Sequence, residues 1–267
     1  MNHPLGLILV SALVAVGAAG CQPDIEPTRV STCEDWSYDG ETGPAQWASL
    51  CSPTCAGDRQ SPVDIVTASV VDANAESEAE PILFEYGETE LTLFNNGHTI
   101  EEGDEHVEKE NAITVGGTRF ELLQIHFHSL SEHTIDGAHS PLEMHLVHRN
   151  EDARLAVIGV MIQEGAPNEA LAAVWDQLPT LESSPHVEVH VDVEDVLPEN
   201  RAYYQYDGSL TTPNGSNPAA SCAEIVNWLV MKEAITMSAD QIAAFQAIFD
   251  HNYRPVQPLN GRTIYGH

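Results

Sequence analysis

The sequence is poor in basic residues, with ten lysine and arginine residues against 41 aspartate and glutamate residues among 267. The formal net charge at pH 7 is therefore −31. A chain this acidic is repelled by nucleic acids and by anionic membrane surfaces, so neither is expected as a partner. Acidic runs such as residues 101–110 (EEGDEHVEKE) are interpreted as solvated surface.

The chain also lacks any low-complexity linker or internal repeat that would divide it. Its 267 residues are enough for one large domain or for two small ones. Without a dividing segment, one domain with a substantial hydrophobic core is the better prediction.

The N-terminus predicts export. Residues 4–20 are apolar, too few to span a bilayer comfortably, and end in small residues, as in a signal peptide. Cys21 follows Ala-Ala-Gly, which resembles the lipidation site of bacterial lipoproteins. We expect a signal peptide at 1–20, a lipid on Cys21, a tether at 21–33 and a periplasmic or cell-surface location. Plain secretion is the alternative, because no lysine or arginine precedes the apolar stretch and Ala18 replaces the usual leucine.

Two histidines lie one residue apart at the end of the strand-like segment 120–128 (FELLQIHFH). Successive side chains of a strand point to opposite faces, so Gln124, His126 and His128 share one face and Phe127 takes the other. Two imidazoles at this spacing can converge on one metal ion. A pair of half-buried, hydrogen-bonded histidines is the alternative.

A second alternating segment, residues 141–150 (PLEMHLVHRN), sets Glu143, His145 and Val147 on one face and His148 on the other. A third imidazole on a neighbouring strand would complete a zinc site and leave one position open for water. No carboxylate has a spacing that favours calcium or magnesium, and H-E-x-x-H, typical of metalloproteases, is absent. Gln124 and Glu143 each precede a histidine by two residues, which suits them to hold the far ring nitrogens.

Residues 124–137 (QIHFHSLSEHTIDG) and 142–148 (LEMHLVH) resemble the zinc-binding core of the alpha-class carbonic anhydrases. Further motifs follow the order of that family: WSYDGETGPAQW at 36–47, RQSPVDI at 59–65, NNGHTIE at 95–101, GSLTTP at 208–213 and NYRPVQPLNGR at 252–262. The resemblance covers residues 36–262, and we place the domain at 34–267.

Strand-like segments dominate the chain: residues 90–96, 112–128, 142–149, 154–162 and 187–193. Gly116-Gly117 predicts a hairpin turn. Helices are predicted at 167–178, starting at Asn168, and at 238–249, where Ser238 and Gln241 form a capping box. The pattern indicates a mainly β (α+β) fold. The resemblance adds one large, mostly antiparallel twisted sheet with a few peripheral helices, and zinc at the bottom of a conical cleft.

The resemblance implies an enzyme that reversibly hydrates carbon dioxide to bicarbonate and a proton. Zn²⁺ would be bound by three ligands, His126, His128 and His145. The attacking species would be a zinc-bound hydroxide. Thr211 would orient it by accepting its hydrogen bond and donating its own proton to Glu132.

The family also implies the surroundings of these groups. Asn252, like Gln124 and Glu143, would hold the zinc ligands in place. The bound anion would contact both Thr212 and the backbone N–H of Thr211. Apolar residues line the carbon dioxide pocket, with ordinary core packing as the alternative: Val147, Val157, Leu210, Val226 and Trp228. Buried hydrogen-bonding or structural roles fall to His133, His148 and Arg254, and water-ordering roles to Tyr38 and Asn96.

His98 falls at the position of the family's proton shuttle, and an exposed turn histidine is the alternative. An imidazole that titrates near neutrality is a natural relay. Carboxylates follow it closely in the sequence: Glu101, Glu102, Asp104 and Glu105. We expect them to raise the pKa of His98 and to slow release of the proton.

With Cys21 set aside, an exported chain keeps an even number of cysteines, which favours disulfides. The resemblance implies Cys55–Cys222 and leaves Cys33–Cys51, with Cys51–Cys222 as the alternative. Residues 214–221 (NGSNPAAS), after Pro213, are an insertion relative to the family. We expect them to bulge outward, although they lie close enough to narrow the cleft.

The sequence argues against two other functions. Some relatives in the family have lost zinc ligands and only bind partners, but all three histidines stand here with Glu132 and Thr211. A zinc-scavenging lipoprotein would carry a mobile loop rich in histidine and aspartate, and the sequence has none. Zinc-dependent hydration of carbon dioxide is therefore the preferred function, with membrane contact only through the N-terminal lipid.

Overall fold

The computed structural model describes residues 32–73, 82–103 and 111–267, apart from the side chains of residues 102 and 103. The predicted signal peptide, Cys21 and most of the predicted tether lie outside these ranges. Within them, no helix has the length and apolar character needed to cross a membrane.

Strands make up most of the described secondary structure. They are β1 (Asp64–Ile65), β2 (Val71–Asp72), β3 (Leu83–Glu85), β4 (Glu88–Asn95), β5 (Ile100–Gly103), β6 (Ala112–Val115), β7 (Thr118–His128), β8 (Thr134–Ile135), β9 (Leu142–Arg149), β10 (Leu155–Glu164), β11 (Val187–Asp192), β12 (Tyr203–Gly208), β13 (Val226–Met231), β14 (Ile235–Met237) and β15 (Tyr265–Gly266). The α-helices are α1 (Trp47–Leu50), α2 (Ala172–Trp175) and α3 (Ala239–Gln246). Short 3-10 turns occupy Cys33–Asp35, Gly40–Thr42, Pro44–Gln46, Pro53–Ala56, Thr67–Ser69 and Pro218–Ala220.

One 13-stranded sheet organises the described chain, in the order β11-β4-β5-β7-β9-β10-β13-β12-β15-β2, with β14 beside β10 and β6 between β3 and β7. Most neighbours are antiparallel, as predicted. The sheet is nevertheless mixed, because β10 runs parallel to β13 and β14, and β15 runs parallel to β2. A separate parallel pair joins β1 and β8.

Strand β10 lies at the centre of the sheet and is covered on both faces. Ile158 and Val160 enter a large core that also receives helix α3. Val157 and Met161 enter a second core on the opposite face, toward the functional site described below. Burial on both faces explains why residues 155–162 read as an unbroken apolar run instead of an alternating one.

The C-terminal helix prediction is confirmed. Helix α3 starts after Ser238, and Ser238 and Gln241 form the predicted capping box. Ile242 and Phe245 are buried, and Phe249 packs against the same core. The predicted Gly116-Gly117 turn is also confirmed, with φ of +53° and +73° between β6 and β7.

The long helix predicted at 167–178 is wrong, because only Ala172–Trp175 is α-helical. Asn168 closes a local turn by accepting a hydrogen bond from the backbone N–H of Leu171 at 3.0 Å. Its own backbone N–H and C=O both bond to the side chain of Gln241 on α3, at 2.9 Å each. Docking against α3 therefore takes the Asn168 C=O, which would have accepted the first backbone bond of a longer helix.

Candidate metal centre and active site

Three histidines converge where β7 and β9 run side by side. The two strands are antiparallel, and their register sets His126 opposite His145. One ring nitrogen from each of His126, His128 and His145 lies within 4.8 Å of the others. His128 and His145 are buried, whereas His126 is partly exposed, so the cluster reaches solvent on the His126 side.

A β-bulge in β7 selects the face on which the histidines lie. The register between β7 and β9 shifts between Leu122 and Gln124. Leu122 precedes the shift and Phe127 follows it. In a regular strand, residues five positions apart would face opposite sides of the sheet, yet both enter the large core. The extra residue therefore turns His126 and His128 away from that core and toward the site.

Each histidine faces the cluster with one ring nitrogen and donates a hydrogen bond from the other. The contacts are His126 Nδ1 to Gln124 Oε1 at 2.7 Å, His128 Nδ1 to the Asn252 carbonyl at 2.6 Å and His145 Nε2 to Glu143 Oε1 at 2.9 Å. An oxygen acceptor requires an N–H on that side, so the nitrogens facing the cluster carry lone pairs. The residues predicted behind the ligands thus make these contacts, Asn252 through its main chain.

The cluster suits a zinc ion. Burial, followed by the neighbouring rings, lowers the pKa of His126 well below its ordinary value, and burial also lowers the pKa of His128. Within the described ranges, His128 Nε2 is buried without a hydrogen-bond partner. A buried lone pair without a partner is costly, and a cation would satisfy it. Three neutral imidazoles are a donor set that zinc prefers, with one tetrahedral position left over.

Glu143 is buried between two histidines. Its Oε1 accepts from His145 Nε2 and, at 2.8 Å, from His133 Nδ1, while its Oε2 accepts from the His133 backbone N–H at 2.8 Å. Burial alone would raise the pKa of Glu143, but the two histidines hold it well below its ordinary value. Gly159 on β10 leaves the space for this carboxylate, since a Cβ there would lie 2.8 Å from Oε1.

The hydrogen-bonded chain continues from His133 to the segment that carries Thr211. The Tyr206 hydroxyl lies 2.6 Å from His133 Nε2 and 3.0 Å from Ser61 Oγ. Ser61 and Ser209 then exchange two bonds, each donating its backbone N–H to the hydroxyl of the other at 2.9 and 3.1 Å. Sequence reasoning missed Tyr206, Ser61 and Ser209, because no spacing rule connects three segments so far apart.

Glu132 is fully buried, and one of its two carboxylate oxygens accepts a hydrogen bond. Its Oε1 accepts from the Arg254 backbone N–H at 2.8 Å. Its Oε2 has no hydrogen-bond partner in the described part of the chain and lies 3.6 Å from His128 Nε2. The Thr211 side chain is buried but makes no described hydrogen bond to Glu132. The structure thus leaves one Glu132 oxygen available as an acceptor beside the metal centre.

The predicted substrate-pocket residues gather on the site side of the sheet. Four of them, Val147, Val157, Val226 and Trp228, belong to one buried cluster, and Leu210 packs against it. The Trp228 ring lies 4.9 Å from the His145 ring, centroid to centroid. An apolar wall therefore stands directly beside the three histidines.

Both expected disulfides are present, Cys55–Cys222 and Cys33–Cys51. The inserted segment 214–221 is closed at its base, where the Cys222 N–H bonds to the Thr212 carbonyl at 3.0 Å. It folds onto the N-terminal segment, since a Cβ on Gly215 would lie 3.2 Å from the Cα of Glu34. The insertion is thus packed against residues 33–34.

His98 lies in the turn between β4 and β5. Its backbone N–H donates to Asn96 Oδ1 at 2.9 Å, and its ring stacks on Trp36 with centroids 3.7 Å apart and planes 11° apart. Burial lowers the pKa of His98, and Glu182 acts in the opposite direction. The expected raised pKa is therefore wrong in direction, because the loss of solvent outweighs nearby charge.

Of the four carboxylates that follow His98 in the sequence, the structure describes the side chain of Glu101. Glu101 is drawn to Asn96, whose Nδ2 donates to Glu101 Oε2 at 2.9 Å, and burial raises the pKa of Glu101. Asp104 and Glu105 lie outside the described residues, as does the side chain of Glu102. Among the described residues, Glu182 on the loop between α2 and β11 raises the pKa of His98.

The residues predicted as structure are buried and bonded. His148 Nε2 lies 2.6 Å from the Tyr86 hydroxyl, and its Nδ1 bonds to the Ala156 carbonyl at 3.2 Å. The Arg254 guanidinium donates to Cys55 O, Gln60 Oε1 and Ser61 O, each within 2.9 Å, and burial lowers its pKa to about 10. The two residues predicted to order water make other contacts. Tyr38 packs edge-on against Trp36 and Trp47. Asn96 accepts a hydrogen bond from the His98 backbone N–H with its side-chain oxygen.

Comparison with known proteins agrees with this geometry. The model of the eukaryotic-type carbonic anhydrase family matches residues 42–267. A carbonic anhydrase of Pectobacterium carotovorum is 40% identical over 235 residues, covering 86% of this chain and 89% of that protein. A carbonic anhydrase of a Nostoc species is 38% identical over 244 residues, covering 89% and 88%.

Solved structures agree in fold. The alpha-carbonic anhydrase of Thermovibrio ammonificans, in complex with the inhibitor sulfanilamide, has a TM-score of 0.77 at 39% identity. That match covers 86% of this chain and 98% of the other. The alpha-carbonic anhydrase of Photobacterium profundum has a TM-score of 0.75 at 38% identity and is covered completely by 86% of this chain.

Proposed function

The chain belongs to the alpha-class, or eukaryotic-type, carbonic anhydrase family and is an enzyme of that class, and from this premise we propose a zinc-dependent hydration of carbon dioxide to bicarbonate and a proton. His126, His128 and His145 are the zinc ligands in this proposal. The observation that carries it is the convergence of three imidazole nitrogens within 4.8 Å of one another.

Zinc, when bound, lowers the pKa of a coordinated water to about 7, for which carbonic anhydrase is itself the standard example. The chain's own contribution starts with orientation. Hydrogen bonds to Gln124, Asn252 and Glu143 fix the tautomers, so that His126 Nε2, His128 Nε2 and His145 Nδ1 present their lone pairs together. The buried charge of Glu143 strengthens its histidine as a donor to the cation.

We assign Glu132 and Thr211 to the orientation of the attacking oxygen. A buried carboxylate oxygen without a donor is unfavourable, and Glu132 Oε2 is such an oxygen. The Thr211 hydroxyl would donate to it and would accept a hydrogen bond from the reacting oxygen. Fixing the hydroxyl in this way is preorganisation, which raises the rate without new chemistry.

Carbon dioxide carries no charge, so its binding site must be apolar. The cluster formed by Val147, Val157, Val226 and Trp228, with Leu210 beside it, supplies that surface next to the histidines. Thr212 and the backbone N–H of Thr211 would hold the bicarbonate product. The uncharged substrate and the anionic product would therefore contact different groups, apolar side chains for carbon dioxide and hydrogen-bond donors for bicarbonate.

The proton must leave the site in every cycle, and we assign its transfer to His98. Direct transfer from a group of pKa near 7 to water is about nine pK units uphill, roughly 12 kcal/mol, which limits turnover to about 10⁴ s⁻¹. An imidazole avoids this limit by accepting the proton first and passing it to buffer. The ring of His98 is partly exposed and held on Trp36, which suits exchange with solvent.

We further propose that the protein is exported and anchored through a lipid on Cys21. The support is the sequence pattern at 1–21, which lies outside the described residues. Metabolic labelling with a radioactive fatty acid tests it, with Cys21→Ser as the control variant. A label that the variant retains would contradict the anchor.

The zinc assignment is tested by replacing each of His126, His128 and His145 with alanine. We expect loss of stoichiometric zinc by elemental analysis and near-complete loss of hydration in a stopped-flow assay. His190→Ala is the matched control, because His190 is exposed and pairs with Glu90 on the outer strands β11 and β4, away from the three histidines. Full zinc and full activity in His145→Ala would overturn the assignment.

A further inference from the structure

Glu182 lies on the loop between α2 and β11, which the chain anchors beside the His98 turn. Asn95 Nδ2 donates to the Pro179 carbonyl at 3.1 Å, which fixes the loop to the end of β4. The backbone N–H of Leu181 donates to Ser184 Oγ at 3.1 Å, which closes a tight turn around Glu182. These bonds fix the backbone on both sides of Glu182, whose side chain is exposed.

The carboxylate lies against Gly97, the residue before His98. Gly97 has a φ of +85°, and a Cβ built on it would lie 2.6 Å from Glu182 Oε1 and 2.9 Å from its Cδ. Any side chain at 97 would be strained and would also displace the carboxylate. Glycine at this position thus permits both the turn and the approach of Glu182 to the His98 segment.

Several elements meet at His98, and they differ in charge. The Trp36 ring covers one face, and Asn252 Nδ2 donates to the His98 carbonyl at 3.0 Å. Glu101 on β5 is engaged by Asn96 of the turn itself. Asp39 near the N-terminal end of the described chain pairs with His251 near its C-terminal end, with 3.8 Å between Asp39 Oδ1 and His251 Nε2. Within the described part of the chain, Glu182 raises the pKa of His98 against the lowering by burial.

We propose that Glu182 is a positioning residue of the proton relay, whose carboxylate stabilises the imidazolium that His98 becomes while it carries a proton out of the site. The inference rests on the proposed function, in which His98 is the relay. One proton moves and no other bond changes: a ring nitrogen of His98 takes it up, and a buffer base then removes it.

The physical need for such a group follows from the setting of His98. An imidazole partly withdrawn from water holds a positive charge poorly, so it accepts a proton slowly. The Glu182 carboxylate, which lies against Gly97 next to His98 in the chain, offsets part of this loss. Because Glu182 is exposed, the effect is moderate and is screened by salt.

The first test is a proton NMR titration of the histidine ring signals, with His98 assigned from its missing signal in His98→Ala. In dilute salt, Glu182→Gln should titrate His98 at lower pH than the parent, and added salt should shift the parent toward the variant. Glu151→Gln is the matched control, because it removes the same charge from the exposed turn between β9 and β10. An unchanged His98 titration in Glu182→Gln overturns the proposal.

The second test is stopped-flow hydration on zinc-loaded protein in dilute buffer. Glu182→Gln should lower kcat about two- to fivefold, leave kcat/KM unchanged and recover with added imidazole, and Glu182→Lys should lower kcat further. A kcat equal to the parent's in both variants overturns the role of Glu182. If His98→Ala itself is as fast as the parent, the relay through His98 fails instead, so the two failures are distinguishable.

Discussion

The ring of His98 stacks on the indole of Trp36, with centroids 3.7 Å apart and planes 11° apart. Trp36 follows directly after the turn Cys33–Asp35, and Cys33 is tied to Cys51. The N-terminal segment therefore holds the proposed relay ring in place from outside the sheet.

We predict that His98→Ala hydrates carbon dioxide slowly in dilute buffer and that added imidazole substantially restores the rate. The reason is that a free imidazole can take over the transfer when the side chain is missing. Zinc content and kcat/KM should stay at the parent's values. A variant as fast as the parent in dilute, non-transferring buffer would mean that another group carries the proton.

For Thr211→Ala we predict full zinc content and a loss of about 10²-fold in kcat, since the variant loses one preorganised hydrogen bond while the metal stays. Thr211→Ser keeps a hydroxyl and should retain most of the rate. Equal rates for Thr211→Ala and the parent would show that the packed insertion at 214–221 has moved this residue out of its role.

The two disulfides should differ in their effect on stability. The bond Cys55–Cys222 spans 167 positions and Cys33–Cys51 spans 18. In the chain-entropy account, loops of these lengths contribute about 5 and about 3 kcal/mol. Denaturant unfolding of the two double serine variants should therefore rank Cys55/Cys222 as the greater loss. Peptide mapping without reduction should recover Cys55 with Cys222, and a Cys51–Cys222 peptide would refute the pairing.

His148 should make the fold sensitive to mild acid. It is fully buried, and burial lowers its pKa to about 4, against about 6.5 in an unfolded chain. Between these values the unfolded state binds more protons, so stability falls as the pH drops from about 6.5 toward 4. From pH 7 to pH 5 the share due to His148 is about 2 kcal/mol.

The check is to measure unfolding free energies of the parent and of His148→Gln at both pH values. The variant should be less stable at pH 7 but should lose less stability on going to pH 5. An identical pH dependence in the two proteins would contradict a neutral, buried His148.

Strand periodicity alone predicted much of the metal centre. The alternation around His126 and His145 predicted two neighbouring strands with inward-facing imidazoles, because each face of a half-buried strand has its own polarity. What alternation could not reveal is the bulge after Leu122, which changes the face of every following residue. The prediction that Gln124, His126 and His128 share a face was correct because all three residues follow the bulge.

The remaining differences come from contacts between distant segments. Asn168 looked like a helix start, but the side chain of Gln241 takes its backbone groups. The lowered pKa of His98 follows from burial, and Glu182 on a distant loop acts against it, so the neighbouring sequence did not show either contribution. No pattern within a single strand or loop contains such information.

The most direct measurement is the stopped-flow rate of carbon dioxide hydration as zinc is added back to metal-free protein. The account predicts negligible hydration without zinc, a linear rise with added zinc, and saturation when each molecule holds one ion. The His145→Ala protein should stay inactive over the same range. Hydration by the metal-free parent at the full rate, or none after stoichiometric zinc is bound, would contradict the zinc-dependent mechanism.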